Sequence, residues 1–256
     1  MTTRMRNDFG GSINAAMIAV LVAAVLQILT PLLPQLGIGA PIGARSDSVR
    51  TLITPAGWAF SIWGALYAGS LAFAIYQLLP AQRGDGLVQQ VRWPAAGAFL
   101  GNAIWAAYTQ VYGLSAISVV IIAWTLVCLL VIYSAVSDAQ LSSGERWLVY
   151  LPLSALTAWL TVATTVNIAA ALRFHGVEGG AGAALIGAAV VVVGGLIAAV
   201  ALVRGRGNLP YAAVFLWALA AIYAAGGQVA GLIAAACAVA ALMVVGGAFV
   251  GARRAR

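Results

Sequence analysis

The side chains with chemical potential are indoles, phenols and amides that recur in apolar stretches at helical spacing. Trp63 and Tyr67 stand four residues apart, so on a helix they share a face. Asn102 and Trp105 stand three apart, followed by Tyr108, Gln110 and Tyr112. Trp159 leads through Thr161, Thr164 and Thr165 to Asn167. Eight residues at about 100° each leave Trp159 and Asn167 about 80° apart around a helix, two turns from one another. Aromatic walls with a few polar groups suit a flat apolar ligand, its faces stacked on rings and its polar edge oriented by amides. The same residue types also join membrane helices: Asn and Thr hydrogen bonds there are worth about 0.6 kcal/mol on average. The sequences Gly97-x-x-x-Gly101 and Gly227-x-x-x-Gly231 let helices approach closely. Convergence from three separate stretches favours the pocket.

Other chemistries lack their residues. The acidic residues Asp8, Asp47, Asp85, Asp138, Glu145 and Glu178 all fall in expected loops or tails, as does His175, the single histidine. No arginine is expected at membrane depth. Proton relays and ion-coupled carriers rely on buried ionisable groups, so those classes are disfavoured. The chain has no lysine, which excludes a retinal Schiff base. Cys128 and Cys237 sit inside apolar runs with no metal-ligand spacing and are expected as small buried residues. No metal set or nucleophile–base pair supports hydrolytic or acid–base catalysis.

The elements that must position these side chains are membrane spans. Of 256 residues 63% are apolar and 7% charged, with a mean hydropathy of +1.02, against about 25% charged in soluble domains. A spanning helix needs roughly 20 apolar residues. Eight stretches qualify: Ile13–Leu33, Ala56–Leu79, Pro94–Tyr112, Leu114–Val136, Leu148–Leu172, Gly182–Val203, Tyr211–Ala225 and Val229–Val250. The seventh is the weakest, and merging it with the eighth leaves seven. The first is longer than the 7–15 residues of a signal-peptide core and is read as retained. The expectation is an all-α polytopic bundle of about eight transmembrane helices lying in the lipid bilayer.

The net charge of +7 comes from arginines scattered between apolar runs, so it reads as topology and not as a nucleic-acid surface. With the N-terminus inside, the inner segments hold Arg4, Arg6, Arg83, Arg92, Arg146, Arg204, Arg206, Arg253, Arg254 and Arg256. The outer ones hold Arg45, Arg50 and Arg173. That bias predicts cytoplasmic N- and C-termini. Trp93 and Trp147 open two spans, where indoles suit the headgroup level. Arg45, Asp47 and Arg50 are expected as solvated loop charges.

Spans two, three and five carry ordered motifs. They are Pro55, Trp58, Trp63 and Tyr67; then Asn102-Ala103-Ile104-Trp105; then Pro152 with Trp159 to Asn167. In this order the chain resembles the translocator protein family, the tryptophan-rich sensory proteins (TspO/MBR). The likeness covers about residues 10–172. Thr54 stands where the family has a first proline, the first Trp is displaced by one residue, Pro152 lies three residues farther from Trp159, and Ser118 replaces a frequent acidic residue. The resemblance implies a five-helix unit over 1–172, with 173–256 as a three-helix membrane extension of the same body. It also implies a homodimer that binds a hydrophobic planar small molecule, a porphyrin, other tetrapyrrole or haem-like ligand, and requires no cofactor. By matching position the ligand-binding residues would be Pro55, Trp58, Trp63, Tyr67, Asn102, Trp105, Trp159 and Asn167. Transport of a hydrophobic solute, an accessory role in a membrane complex and light-dependent porphyrin breakdown are the alternatives. Whether 35–54 forms a lid stays open. The extension reads as packing or oligomer contact, or as a second ligand wall through Trp217 and Tyr223.

Overall fold

The computed structural model describes residues 12–254; Arg4, Arg6, Asp8 and Arg256 lie outside that range. Several helix starts have a local cause. Asn14 caps α1 (Ala15–Leu29), its side chain accepting from the Met17 amide at 3.1 Å. Pro31 and Pro34 then tighten the chain into a 3-10 segment, Thr30–Leu36, ended by Gly37 at a φ of +79°. A short α2 (Ile42–Ser48) follows, and a 3-10 turn, Gly57–Ser61, leads into α3 (Ile62–Tyr76). Asp85 caps α4 (Gly86–Tyr112), and α5 spans Ala116–Asp138. A one-turn α6 (Ser143–Glu145) closes a capping box between Ser142 and Glu145. It runs through a π turn into α7 (Leu151–Phe174). The last three helices are α8 (Ala183–Arg204), α9 (Leu209–Ile222) and α10 (Gly231–Arg254).

Seven helical segments among the described residues are long and apolar enough to cross a membrane by length and composition. They carry seven of the eight expected spans, and the weakest forms its own segment, Leu209–Gly227. The expected third span lies in α4, which is long enough at 27 residues but too polar to join them. Its polar side chains face inward: Arg92, Asn102, Thr109 and Gln110 are all buried. α4 packs between α1 and α5.

Two charged residues depart from the sequence reading. Arg92 is not in a connecting loop, because α4 begins eight residues before Pro94. The guanidinium is 2% exposed. It donates to Gln77 Oε1 at 3.1 Å and to the carbonyls of Gln77, Gln82 and Arg83 at 3.0–3.3 Å. These acceptors include carbonyls that the end of α3 and its turn would otherwise leave unpaired. Glu145 is also buried, its carboxylate consumed by the capping box through the Ser142 amide.

The last three helices pack on one another and against α7. α8 and α10 pack with glycines at the crossing: a Cβ on Gly195 would stand 2.6 Å from Ala240, and one on Gly247 2.7 Å from Ala199. α9 docks on α7 through polar groups. Asn208 donates to Ser154 Oγ at 2.8 Å, and the Tyr211 hydroxyl donates to Thr161 Oγ1 at 3.2 Å. The Ala56 amide donates to the Ala221 carbonyl at 3.0 Å, tying the entry to α3 to the end of α9. Gly97 and Gly101 pack on Cys128 and Thr125 of α5, so this small-residue pair is used within the chain.

Candidate functional site

The start of α3 with the turn before it, the C-terminal half of α4 and the middle of α7 bring their aromatic residues to one cavity. Pro55, Phe60 and Trp63 form one wall, Trp105 another, and Trp159 with Asn167 a third. Ile42 and Ser46 of α2 close it. The rings contact one another edge to face: Trp63 and Trp159 have centroids 6.1 Å apart, and Phe60 and Trp159 6.2 Å. Tyr67 stacks on Trp63 at 5.1 Å, as their four-residue spacing predicts.

A hydrogen-bonded chain fixes one end. Trp105 Nε1 donates to Asn167 Oδ1 at 2.8 Å, Asn167 Nδ2 donates to Ser118 Oγ at 2.8 Å, and Ser118 donates to the Ser115 carbonyl at 2.7 Å. Ser118, where the resembled family often has an acid, is therefore the neutral acceptor that holds the asparagine's orientation. Trp159 Nε1 is buried and has no partner. An unpaired buried donor costs about 1–3 kcal/mol, so this indole is an open polar valence on the wall.

Of the eight expected site residues, Pro55, Trp63, Trp105, Trp159 and Asn167 line this cavity. Tyr67 lines an adjoining lobe with Trp63. Trp58 lines neither: it is 48% exposed and packs edge to face on Trp217, centroids 4.8 Å apart. Asn102 also lines neither, donating to Gln27 Oε1 of α1 at 3.2 Å, though its side chain meets the Tyr67 hydroxyl as well. Ile42 and Ser46 have no motif that announces them, Ser118 is marked only as the place of a frequent acidic residue, and Gln27 only as the one amide inside an apolar run. Trp217 donates to the Ala59 carbonyl at 3.3 Å, so it packs on the entry to α3.

The cavity proper is small, about 50 Å³. That is room for a water or two, at about 30 Å³ each in the liquid. The adjoining lobe measures about 240 Å³, and Ile42, Phe60 and Trp63 border both. Ligand sites usually enclose about 300–1,000 Å³. The two lobes approach that size only when the partition between them moves.

α2 sits over both lobes and is fastened to α4. Arg45 donates to the Gln110 carbonyl through Nε at 3.1 Å and Nη2 at 2.9 Å, and to the Val111 carbonyl at 2.9 Å. The Ala40 amide adds a bond to the Gln110 carbonyl at 2.9 Å. Arg45 is thus not a solvated loop charge; it meets the unpaired carbonyls and negative dipole end of α4. Gly39 allows the approach: its φ is +74°, and a Cβ there would stand 2.4 Å from the Gln110 oxygen. Asp47 and Arg50 form the exposed ion pair expected of loop charges.

Among the described residues no group of three His, Cys, Asp or Glu side chains is placed to hold a metal ion. A protein-family model described as TSPO-like protein matches residues 13–250, the last three helices included. Comparison with curated proteins and with solved structures finds no match to the chain.

Proposed function

The chain belongs to the TSPO-like protein family and is a multi-pass membrane protein, and from that premise we propose that it binds a flat apolar ligand of the porphyrin type in the cavity beneath α2. The observation that carries this is the convergence of Trp63, Trp105 and Trp159 from three helices on one space. Trp63 and Trp159 offer faces for stacking, and the unpaired Trp159 N–H offers a donor to a ligand acceptor. Asn167, held by Trp105 and Ser118, supplies a fixed amide at the far end. Binding requires Phe60 and Ile42 to move so that the two lobes merge, with α2 as the cover. The arginine distribution favours cytoplasmic termini, which puts α2 on the opposite side of the membrane. No residue here is asked to break a bond of the ligand; the role is capture and sensing.

The test is a titration of protoporphyrin IX into the detergent-solubilised chain, followed by tryptophan fluorescence. Saturable quenching is expected, and it should fall substantially in Trp63→Phe and Trp159→Phe. Absent quenching, or quenching unchanged in both variants, overturns the assignment.

A further inference from the structure

A second and larger cavity lies on another face of α7. It encloses about 480 Å³ between the segment 50–53, the end of α7, the start of α8 and the turn after α9. Its volume lies within the usual range for small-molecule sites without any rearrangement. Ala169 of α7 lines it, whereas the neighbouring Ala170 lines the aromatic cavity, so α7 is the partition between two separate spaces.

The walls are held by close packing. A Cβ on Gly226 would stand 1.8 Å from the Leu52 carbonyl oxygen, and one on Gly187 would stand 3.0 Å from Ile233 and 3.2 Å from Ile53. The elements therefore meet at fixed points, and the open groove between them is lined by Val190 and Ala169, with Ile186 exposed along its edge. That interior is apolar.

The rim is not. Arg50, Arg173 and Glu178 border the opening. Arg50 uses one nitrogen, Nη2, on Asp47, and Arg173 uses one, Nη1, on Glu178 at 3.5 Å. A guanidinium carries five N–H donors, so most of each fork remains available. Both ion pairs are about half exposed, and exposed pairs of this kind exchange readily for a better acceptor. An apolar slot under two arginine forks matches a molecule with a greasy body and one anionic head.

We propose that this cavity is a second ligand site, for an amphipathic anion whose carboxylate or phosphate lies between Arg50 and Arg173 and whose apolar chain runs along Ile186 and Val190. The site does not depend on the porphyrin reading, since it shares none of its ring-bearing residues. The ligand's chemistry is common to a free fatty acid and to an anionic membrane lipid.

The experiment uses photoactivatable diazirine probes on the purified full chain, with labelled peptides mapped by mass spectrometry. Diazirine palmitate is compared with diazirine hexadecanol in neutral detergent. In nanodiscs, diazirine phosphatidylglycerol is compared with diazirine phosphatidylcholine. The expected result is saturable palmitate labelling within residues 169–190 and 225–229, at least about fivefold above hexadecanol. The Arg50→Gln, Arg173→Gln double variant should reduce palmitate to the hexadecanol level, and Val190→Phe should block it. Preference for phosphatidylglycerol in the nanodisc arm supports the site with a bilayer lipid as occupant; preference for the acid alone supports it with a free acid. Equal labelling by the charged and neutral probes, or labelling spread evenly over the spans, overturns the proposal. If a variant does not purify as a monodisperse species, the charged-against-neutral comparison on the unaltered chain decides the matter.

Discussion

Asn167 and Asn102 are chemically identical, and both sit in apolar helices near a tryptophan, yet they do different work. Asn167 orients the Trp105 indole at the cavity and is itself held by Ser118. Asn102 bridges α4 to Gln27 of α1. The spacing of Trp63, Trp159 and Asn167 along their helices was enough to put them on the cavity wall, because each shares a helix face with another lining group. The direction of Asn102 was not legible, since the sequence shows which face a residue occupies but not which neighbour that face meets. Trp58 was hidden for the same reason: its partner, Trp217, is 159 residues away along the chain. The two amides should part in the laboratory. Asn167→Leu should weaken protoporphyrin binding by about tenfold, in line with the 1–3 kcal/mol cost of stranding the Trp105 donor. Asn102→Leu should lower the Tm by a few degrees, reflecting an interhelical bond of roughly 1 kcal/mol, with the binding curve unmoved. Equal effects on the fluorescence titration would show that Asn102 belongs to the site after all.

At the scale of elements, α2 and α4 are the informative pair. α4 is the most polar of the long helices, and its side chains explain why composition alone ranks it below a membrane span: Arg92, Asn102, Thr109 and Gln110 are turned inward. Where α4 begins was not legible, because the charged stretch from Arg83 to Arg92 looks like a connecting loop until Arg92 is seen gathering carbonyls. The lid was likewise undecided, since an arginine in a loop carries no sign of the helix end it will meet. With Arg45 bonded to two carbonyls at the end of α4, Arg45→Gln should cost about 1–2 kcal/mol of closed lid. Amide hydrogen exchange over residues 40–48 should then rise about tenfold, and protoporphyrin should dissociate faster. Unchanged exchange in that segment would mean that the Ala40 amide and the packing of Ile42 hold α2 without the arginine.

For the whole molecule, the question is whether the last three helices are an attachment. The motifs end near residue 172, and contacts cross that point repeatedly. Ala56, Ala59, Ser154 and Thr161 all bond to residues beyond it. These bonds join residues 50 or more positions apart, a distance over which apolar periodicity carries no information. A chain ending at Gly176 should therefore leave the face of α7 and the entry to α3 without partners. Size-exclusion chromatography in mild detergent should show aggregation, with no protoporphyrin quenching in any recovered fraction. A monodisperse, quenching fragment would show that the five-helix unit stands alone.

The buried guanidinium at the start of α4 has a mechanical corollary. Arg92 and the Gln110 carbonyl that anchors α2 are separated by 18 positions, roughly 27 Å of helix at 1.5 Å per residue. One extremity of the bundle is thus riveted from within by a buried side chain, while the other is fastened by the half-accessible Arg45 and the Ala40 amide. Opening is therefore expected at the α2 end, and a guest bound as proposed would depart by the mouth through which it came.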